Sequence, residues 1–274
     1  MSQMSPLSSK LLYNFPRMEI TITMKSCQIQ TELKNKQKTV TSIILSALLV
    51  LSVGSVLVPL ADASHCNYVL PNQHCYAIER KTQVTYGNQF TTIISNLSVD
   101  CTTSNPNFAT IEQWSSLPNG DWVEIGFADG YSVATNNCST SEYTFTASRI
   151  SGNYAETKHG SPSLGSTHVY EFSDTDKNKT WKAWDNTSNV KTITTPYANS
   201  IGADVGSELT QNKVNAVPKT HLYNILWYVG TSWANWNSAD SGYPTAHAPY
   251  WILNCTPNYQ HIHIGTSSFT QSCS

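Results

Sequence analysis

Residues 121–127 read Asp-Trp-Val-Glu-Ile-Gly-Phe, and this stretch decides the fold of the chain. Core-type side chains recur at every second position, which is the pattern of a β-strand with one buried face. The alternation places Val123, Ile125 and Phe127 on a core face and Glu124 on the opposite face, between a tryptophan and a glycine. The stretch therefore predicts a strand that carries a carboxylate on its open face.

The same short-period pattern recurs along the rest of the chain, bounded by Gly, Pro, Asn and Ser, while helical periodicity is hard to find. Turn residues at 117–120 separate two of the predicted strands, and Asp129-Gly130 is expected to end one. The predicted strands are 75–85, 90–99, 109–114, 122–128, 143–148, 167–174, 180–185, 201–210, 223–229 and 260–264. This spacing predicts an all-β fold, a single two-sheet sandwich of the jelly-roll type.

Composition and charge exclude some classes of partner. Charged residues make up 12% of the 274 residues, about half the usual share. Residues 64–274 contain ten Lys or Arg and fifteen Asp or Glu, a net charge of −5. Because no basic patch is visible, the sequence does not predict a nucleic-acid partner.

The N-terminal part has the features of an export signal. An apolar run at 43–60 is preceded by lysines at positions 34, 36 and 38 and followed by Ala-Asp-Ala at 61–63. This order is typical of a secretory signal peptide with its cleavage site. The alternative is an uncleaved membrane anchor, since the run is just long enough to span a bilayer. We expect a leader over 1–63, a secreted or cell-surface domain over 64–274, and a C-terminal extension from about 238.

An even number of cysteines follows this leader, which is typical of three disulfides in a secreted domain. The sequence leaves their connectivity open, although Cys255 with Cys273 would close a C-terminal hairpin and Cys75 with Cys101 could join neighbouring strands. The six cysteines are Cys66, Cys75, Cys101, Cys138, Cys255 and Cys273.

Five N-x-[ST] sequons are also present after the leader. If the host glycosylates them, their side chains must face solvent. The predicted glycosylation sites are Asn96, Asn137, Asn178, Asn186 and Asn254.

A second glutamate stands in surroundings similar to those of Glu124. Residues 203–209 read Ala-Asp-Val-Gly-Ser-Glu-Leu. Val205 and Leu209 share one strand face, so Glu208 and a glycine share the opposite one. If both strands lie near each other in one sheet, Glu124 and Glu208 face each other across a groove.

Two carboxylates in one groove favour acid–base chemistry. They cannot both ionise cheaply, so one keeps a proton that it can donate to a leaving group while the other takes a proton from water. The pair can therefore hydrolyse a peptide bond or, at other spacings, a glycosidic bond, without a cofactor. The predicted catalytic residues are Glu124 and Glu208. The predicted substrate-binding residues are Trp122, Gly126, Gln113 and Trp181. For Trp181, the alternative is a position in the core.

The two glutamate stretches resemble the corresponding strands of neprosin-type glutamic endopeptidases. They also resemble related secreted bacterial β-sandwich proteins of unassigned function, which share a His-Cys-Tyr-Ala-Ile strand, here His74 to Ile78. The resemblance covers roughly residues 74–236. It implies a concanavalin-like sandwich with Glu124 and Glu208 at the positions of the catalytic pair. Fungal glutamic peptidases, more distant, share the sandwich but pair Gln with Glu.

The sequence predicts no metal site. His261 and His263 lie on one strand face and could pair with His247, but no third ligand is specified by spacing.

Three functional hypotheses follow from the residues. The leading one is a secreted glutamic-peptidase-like hydrolase acting on extracellular polypeptide at acidic pH. The alternatives are a lectin-like sandwich that binds glycan on its Trp/Tyr face and a structural surface protein that packs against its own copies.

Overall fold

We describe the fold from a computed structural model of the chain. The residues described are 74–102, 107–210, 215–236, 245–247, 250–256, 260–267 and 269–274, and all lie in the unit Pro59–Ser274. The predicted leader and Cys66 lie outside them. In the part of the chain that is described, no helix is sufficiently long and apolar to cross a bilayer.

The described residues form fifteen β-strands and one 3₁₀ turn, Pro118–Gly120, which occupies the predicted turn. All ten predicted strands are present, and five further strands, β6, β9, β12, β13 and β14 as defined next, were not predicted. The strands are β1 (His74–Lys81), β2 (Gly87–Ile93), β3 (Phe108–Ser116), β4 (Trp122–Ser132), β5 (Asn137–Ile150), β6 (Asn153–Lys158), β7 (Thr167–Ser173), β8 (Thr180–Asp185), β9 (Ser188–Thr194), β10 (Gly202–Thr210), β11 (Thr220–Tyr228), β12 (Trp233–Asn235), β13 (Thr245–Ala246), β14 (Tyr250–Asn254) and β15 (His261–Thr266).

The strands form two antiparallel sheets, which confirms the predicted two-sheet sandwich. The first sheet has the order β13-β1-β10-β3-β4-β5-β6. The second has the order β14-β15-β11-β2-β7-β8-β9, and β12 pairs with β11. The segment predicted as a C-terminal extension thus contributes β13 to one sheet and β14 and β15 to the other.

The core lies between the sheets and is built by alternate residues of each strand. Val123, Ile125 and Phe127 of β4 are fully buried in it, which confirms the face assigned to them from the sequence. Phe90 and Phe172 of the second sheet belong to the same apolar cluster. Because full burial of such a side chain stabilises a fold by about 1.5–3 kcal/mol, this layer holds the two sheets together.

Two disulfides are described, and one corrects an expectation. Cys255–Cys273 closes the C-terminal segment as predicted, with its Cα atoms 5.4 Å apart. Cys101 is bonded to Cys138, with Cα atoms 5.7 Å apart, so the predicted Cys75–Cys101 pairing is wrong. The physical reason is strand order: Cys75 lies on β1, which β10, β3 and β4 separate from β5 and Cys138. Cys75 is itself disulfide-bonded.

The prediction that Asp129-Gly130 ends a strand is also wrong. Strand β4 continues through these residues to Ser132, and a register shift between Ala128 and Gly130 accommodates them in the sheet. Gly130 has a φ of +100°, a conformation that glycine adopts without strain. The feature is therefore a β-bulge inside a strand and not a strand end.

Candidate functional site

A groove with a volume of about 520 Å³ lies on the outer face of the first sheet, away from the core. Its walls combine acidic and aromatic side chains. The acidic residues are Glu112, Glu124, Glu156 and Glu208, and the largest aromatic residues are Tyr76, Trp114, Trp122, Tyr131, Tyr143 and Tyr154. Four carboxyl groups in one partly apolar groove make it the strongest candidate for a functional site among the described residues.

Strand register explains why the carboxyl groups converge. Glu112 of β3 is paired with Gly126 of β4 on one side and with Gly206 of β10 on the other. Trp114, two residues along β3, is paired with Glu124. Because residues two apart share a strand face, the three central strands point their carboxylates to the same side of the sheet.

The two glycines beside Glu112 allow the strands to approach closely. An added Cβ at Gly126 would lie 2.1 Å from the Ile111 carbonyl oxygen, and one at Gly206 would lie 2.0 Å from the Ala77 carbonyl oxygen. The space beside Gly126 is therefore filled by β3. The prediction that this glycine leaves room for a ligand is corrected accordingly.

Glu124 is nearly inaccessible, with 7% of its surface exposed. Burial and then the charge of Glu208 raise the pKa of the Glu124 carboxyl well above its ordinary value, while a hydrogen bond with Trp114 acts in the opposite direction. A carboxyl group in these surroundings keeps its proton into a pH range where exposed glutamates have lost theirs.

Glu112 is a carboxyl group of the groove that the sequence analysis did not select. Burial, then the charges of Glu124 and Glu208, raise its pKa well above the ordinary value. The Thr110 hydroxyl donates a hydrogen bond to Oε1 of Glu112. Its Oε2 atom is buried and has no hydrogen-bond partner among the described residues, so ionisation of this carboxyl group is costly.

Glu208 has two polar neighbours on β1. His74 Nδ1 forms a hydrogen bond with its carboxylate, which is an ion pair when the imidazole is protonated. Tyr76, the Cα partner of Glu208, contributes a hydroxyl to the same carboxylate. The hydrogen bond to Glu208 raises the pKa of His74, although burial opposes this shift.

Glu156, on the unpredicted strand β6, forms the far wall of the groove. Tyr154 Oη donates to its Oε2 over 2.9 Å, and Ser132 Oγ donates to its Oε1 over 2.6 Å. The Tyr154 ring lies 5.8 Å from that of Trp122, measured between centroids. Trp122 thus lines the groove beside an aromatic partner that the sequence did not indicate.

Glu124 and Glu208 share the groove but do not lie directly opposite each other. The Glu208 amide donates to Thr110 Oγ1 over 3.0 Å, which places Glu208 four residues along β3 from Trp114, the partner of Glu124. With about 4.8 Å between strands and about 3.3 Å per residue, their Cα atoms are separated by roughly 16 Å. Glu112 occupies the midpoint, so the site is a diagonal row of three carboxyl groups.

Two predicted substrate-binding residues lie elsewhere. Trp181 is fully buried in the core on β8 of the second sheet, and its Nε1 donates to the Tyr197 carbonyl oxygen over 2.9 Å. Gln113 points into the sandwich, and its Nε2 donates to the Asn88 carbonyl oxygen over 2.8 Å. Both predictions are corrected because these side chains lie on the core faces of their strands, and the neighbour of Gln113, Glu112, lines the groove instead.

A separate cluster of histidines lies on the second sheet. His221, His261 and His263 each offer a ring nitrogen, and these atoms lie within 4.8 Å of one another. His247, which the sequence suggested as a partner, instead lies beside β1, where its Nδ1 accepts a hydrogen bond from the Tyr76 amide over 3.2 Å. Spacing along the chain did not indicate His221, because strand pairing alone brings β11 next to β15.

The fold and the groove define a disulfide-bonded β-sandwich with a carboxylate-lined site. No protein-family model matches the sequence, and no curated protein sequence matches it. Its structural neighbours include glutamic peptidases of the eqolisin family and concanavalin-like glycanases, at low sequence identity.

Three of these solved structures show the extent of the similarity. Scytalido-glutamic peptidase with a transition state analog inhibitor is 8% identical and matches over 70% of this chain and 97% of its own, with a TM-score of 0.45. SCP-B, an eqolisin peptidase in complex with the tripeptide Ala-Ile-His, has the same identity and coverage and a TM-score of 0.47. A Bacillus licheniformis β-glucanase is 16% identical over 48% of this chain and 57% of its own, with a TM-score of 0.32.

Proposed function

We propose that this protein is a secreted hydrolase of the glutamic-peptidase type that cleaves extracellular polypeptide at acidic pH. The observation that carries the proposal is the row of carboxyl groups in one groove, of which Glu124 and Glu112 have pKa values raised by burial. The resemblance of both glutamate stretches to those of neprosin-type endopeptidases agrees with this assignment.

The roles of the carboxyl groups follow from their surroundings. Glu124, which keeps its proton, is the general acid, and Glu208, paired with His74, is the general base. Glu208 removes a proton from a water molecule as the water oxygen bonds to the scissile carbonyl carbon. Glu124 gives its proton to the departing amine nitrogen as the C–N bond breaks. Because the Cα atoms of the two glutamates are roughly 16 Å apart, both side chains have to extend along the groove toward Glu112 to reach the same bond. Solvent then restores both protonation states, so one water is consumed for each bond cleaved.

Glu112 lies between the general acid, Glu124, and the general base, Glu208. Its raised pKa keeps it neutral at acidic pH, so its carboxyl group can donate a hydrogen bond into the groove. A donor between the acid and the base is suitably placed to bind the carbonyl oxygen on which negative charge develops during addition of water. A charged carboxylate at this position would repel that oxygen, and the reaction is therefore expected at acidic pH.

The walls of the groove indicate an extended peptide with bulky side chains as substrate. A volume of about 520 Å³ lies in the range of small-molecule sites and accommodates a few residues of a peptide. Trp114, Trp122 and Tyr154 offer flat apolar surfaces on which such side chains can pack. The low density of positive charge in the mature domain is in keeping with a polypeptide substrate and not with nucleic acid.

The test is a cleavage assay on the purified protein, with acid-denatured casein as substrate between pH 3 and 7. We expect cleavage that falls at least 100-fold in Glu124→Gln and in Glu208→Gln. Glu171→Gln is the matched control, because Glu171 is also a partly buried carboxyl but lies on β7 of the other sheet. Unchanged cleavage by Glu124→Gln, or no cleavage by the wild-type protein at any pH, overturns the proposal.

Glycan binding is a second candidate, favoured by the aromatic pair at the rim of the groove. Tyr154 is 46% exposed, and its ring lies 5.8 Å from that of Trp122 between centroids and is tilted by 60° to it, so a sugar ring can stack on the exposed face of Tyr154. Binding on a glycan array that is lost in Trp122→Ala but kept in Glu124→Gln would support this function. Loss in neither variant would exclude the groove as the glycan site.

Export and glycosylation belong to the same proposal. Disulfides persist in oxidising compartments, and the structure contains them at Cys75, in Cys101–Cys138 and in Cys255–Cys273. All five sequon asparagines are exposed, as attachment of a glycan requires. The N-terminus of the mature protein, expected near Ser64, tests the export signal, and a mass decrease on deglycosylation tests the sequons.

A further inference from the structure

We propose that His221, His261 and His263 bind a divalent transition-metal ion, with zinc as the representative ligand. The three residues lie on β11 and β15, on the outer face of the second sheet. The neighbouring residues Leu222 and Ile262 are fully buried in the core, which places the histidines on the side away from it. This site is therefore separate from the carboxylate groove on the first sheet.

Strand pairing brings the three rings together. His221 and His263 are Cα partners across β11 and β15, and their ring centroids lie 3.8 Å apart. His261, two residues before His263 on the same strand face, has its ring centroid 4.7 Å from that of His263. Three neutral imidazole nitrogens on one rigid surface form a ligand set that zinc, copper and nickel prefer.

The tautomer of His263 is specified by a backbone carbonyl. Its Nδ1 lies 2.8 Å from the Ser272 carbonyl oxygen, and a carbonyl can only accept, so the proton is on Nδ1. Its Nε2 therefore presents a lone pair. A metal-binding histidine usually donates the N–H of its other ring nitrogen to such an acceptor. This hydrogen bond orients the ring and increases the basicity of the nitrogen that binds the metal.

The lone pair of His263 points to another ligand nitrogen. His261 Nε2–H donates a hydrogen bond to His263 Nε2 over 2.9 Å, and a metal ion replaces this hydrogen bond when the His261 proton moves to Nδ1. Two nitrogens bound to one zinc ion at about 2.0–2.1 Å in tetrahedral geometry are separated by roughly 3.3 Å. A small rotation of the half-buried His261 ring reaches that spacing, and the metal ion then lies between the two nitrogens with His221 as third ligand.

The supporting carbonyl is itself anchored. Ser272 precedes Cys273, which the disulfide to Cys255 holds at the end of β14. His263 is fully buried, whereas His221 and His261 are half-buried, so the fourth coordination position faces solvent and takes a water molecule. The bound ion joins β11 to β15, and through Ser272 it also strengthens the attachment of the C-terminal segment.

The experiment is zinc titration of tag-free protein that has been stripped of metal with a chelator. We expect one equivalent to bind with a dissociation constant in the micromolar range or tighter, and cobalt to give the visible absorption of a nitrogen-ligated, four-coordinate ion. His261→Ala and His221→Ala should each weaken zinc binding at least 100-fold. These two half-buried residues are preferred to His263, because His263 is fully buried and its replacement by Ala would leave a cavity that weakens the fold.

His168→Ala is the matched control, since His168 is a partly buried histidine of the same sheet that pairs with Asp185. It should bind zinc like the wild type. Thermal unfolding supplies a second readout: zinc should raise the melting temperature of the wild type and of His168→Ala, but not that of His261→Ala. Absence of binding to the wild type, or unchanged affinity in His261→Ala and His221→Ala, overturns the proposal. Proteolytic activity plays no part in these measurements.

Discussion

Glu112 on β3 is paired with Gly126 on β4, and an added Cβ at Gly126 would lie 2.6 Å from the Cβ of Glu112. The same Cβ would lie 2.1 Å from the Ile111 carbonyl oxygen, a backbone atom that cannot move aside alone. The absence of a side chain at Gly126 thus sets the distance between β3 and β4 at the centre of the groove, and with it the position of Glu112.

Gly126→Ala should therefore destabilise the fold, by about 2–3 kcal/mol, because the added methyl group forces the two strands apart. Urea denaturation followed by tryptophan fluorescence measures this loss. Gly160→Ala is the control, since an added Cβ at Gly160 meets nothing within 4 Å. Equal stability of the two variants would contradict the close strand approach.

Glu112→Gln should stabilise the protein at pH 8 and change little at pH 4. The folded state raises the pKa of Glu112, so it retains a proton that the unfolded chain loses above about pH 4.3. Stability therefore falls as pH rises through the interval between the unfolded and folded pKa values. Gln, which is always neutral, removes this loss.

Denaturation of wild type and Glu112→Gln at both pH values measures the difference. The exposed Asp176, changed to Asn, serves as control and should shift stability by less than about 1 kcal/mol at either pH. A Glu112→Gln effect of the same size at pH 4 and pH 8 would show that packing, and not ionisation, is responsible.

We expect a second effect of pH on stability from Glu79, which lies inside the sandwich. Burial raises the pKa of this fully buried carboxyl to about 8, and neither of its oxygens has a hydrogen-bond partner among the described residues. As for Glu112, stability declines with rising pH, here from about pH 4.5 to about 8, because Glu79 loses its proton at lower pH in the unfolded chain than in the folded protein. Glu79→Gln should flatten this decline and gain on the order of 2–4 kcal/mol at pH 8. A stability profile identical to that of the wild type would contradict it.

Trp114→Phe should move the pH profile of catalysis. The hydrogen bond from Trp114 lowers the pKa of Glu124, against the larger effect of burial. Its loss leaves the pKa of Glu124 higher, so the general acid stays protonated longer and the basic limb of the profile moves to higher pH. Profiles of kcat/KM measure the shift. Trp251→Phe, which removes a buried indole bonded to the Thr266 carbonyl far from the groove, should leave the profile in place.

Alternation along individual strands was sufficient for much of the fold. It placed Val123, Ile125 and Phe127 in the core and Glu124 outside, because the side-chain period of a strand allows only two faces. It failed for β6 and β9, whose residues are exposed or half-buried and largely polar, so that neither strand has a buried apolar face. It also failed at 112–113, where two adjacent polar residues give no local sign of which one faces the core.

The sequence alone determined the class of fold and the outward direction of Glu124 and Glu208, since both follow from local period and composition. Only the tertiary structure decided which groups meet. Strand order places β3 between β4 and β10, and so puts Glu112 between the two glutamates. In the second sheet, the pairing of β11 with β15 brings His221 to His263. Pairing between strands that are distant along the chain is set by packing of the whole sandwich, which no short stretch of residues encodes.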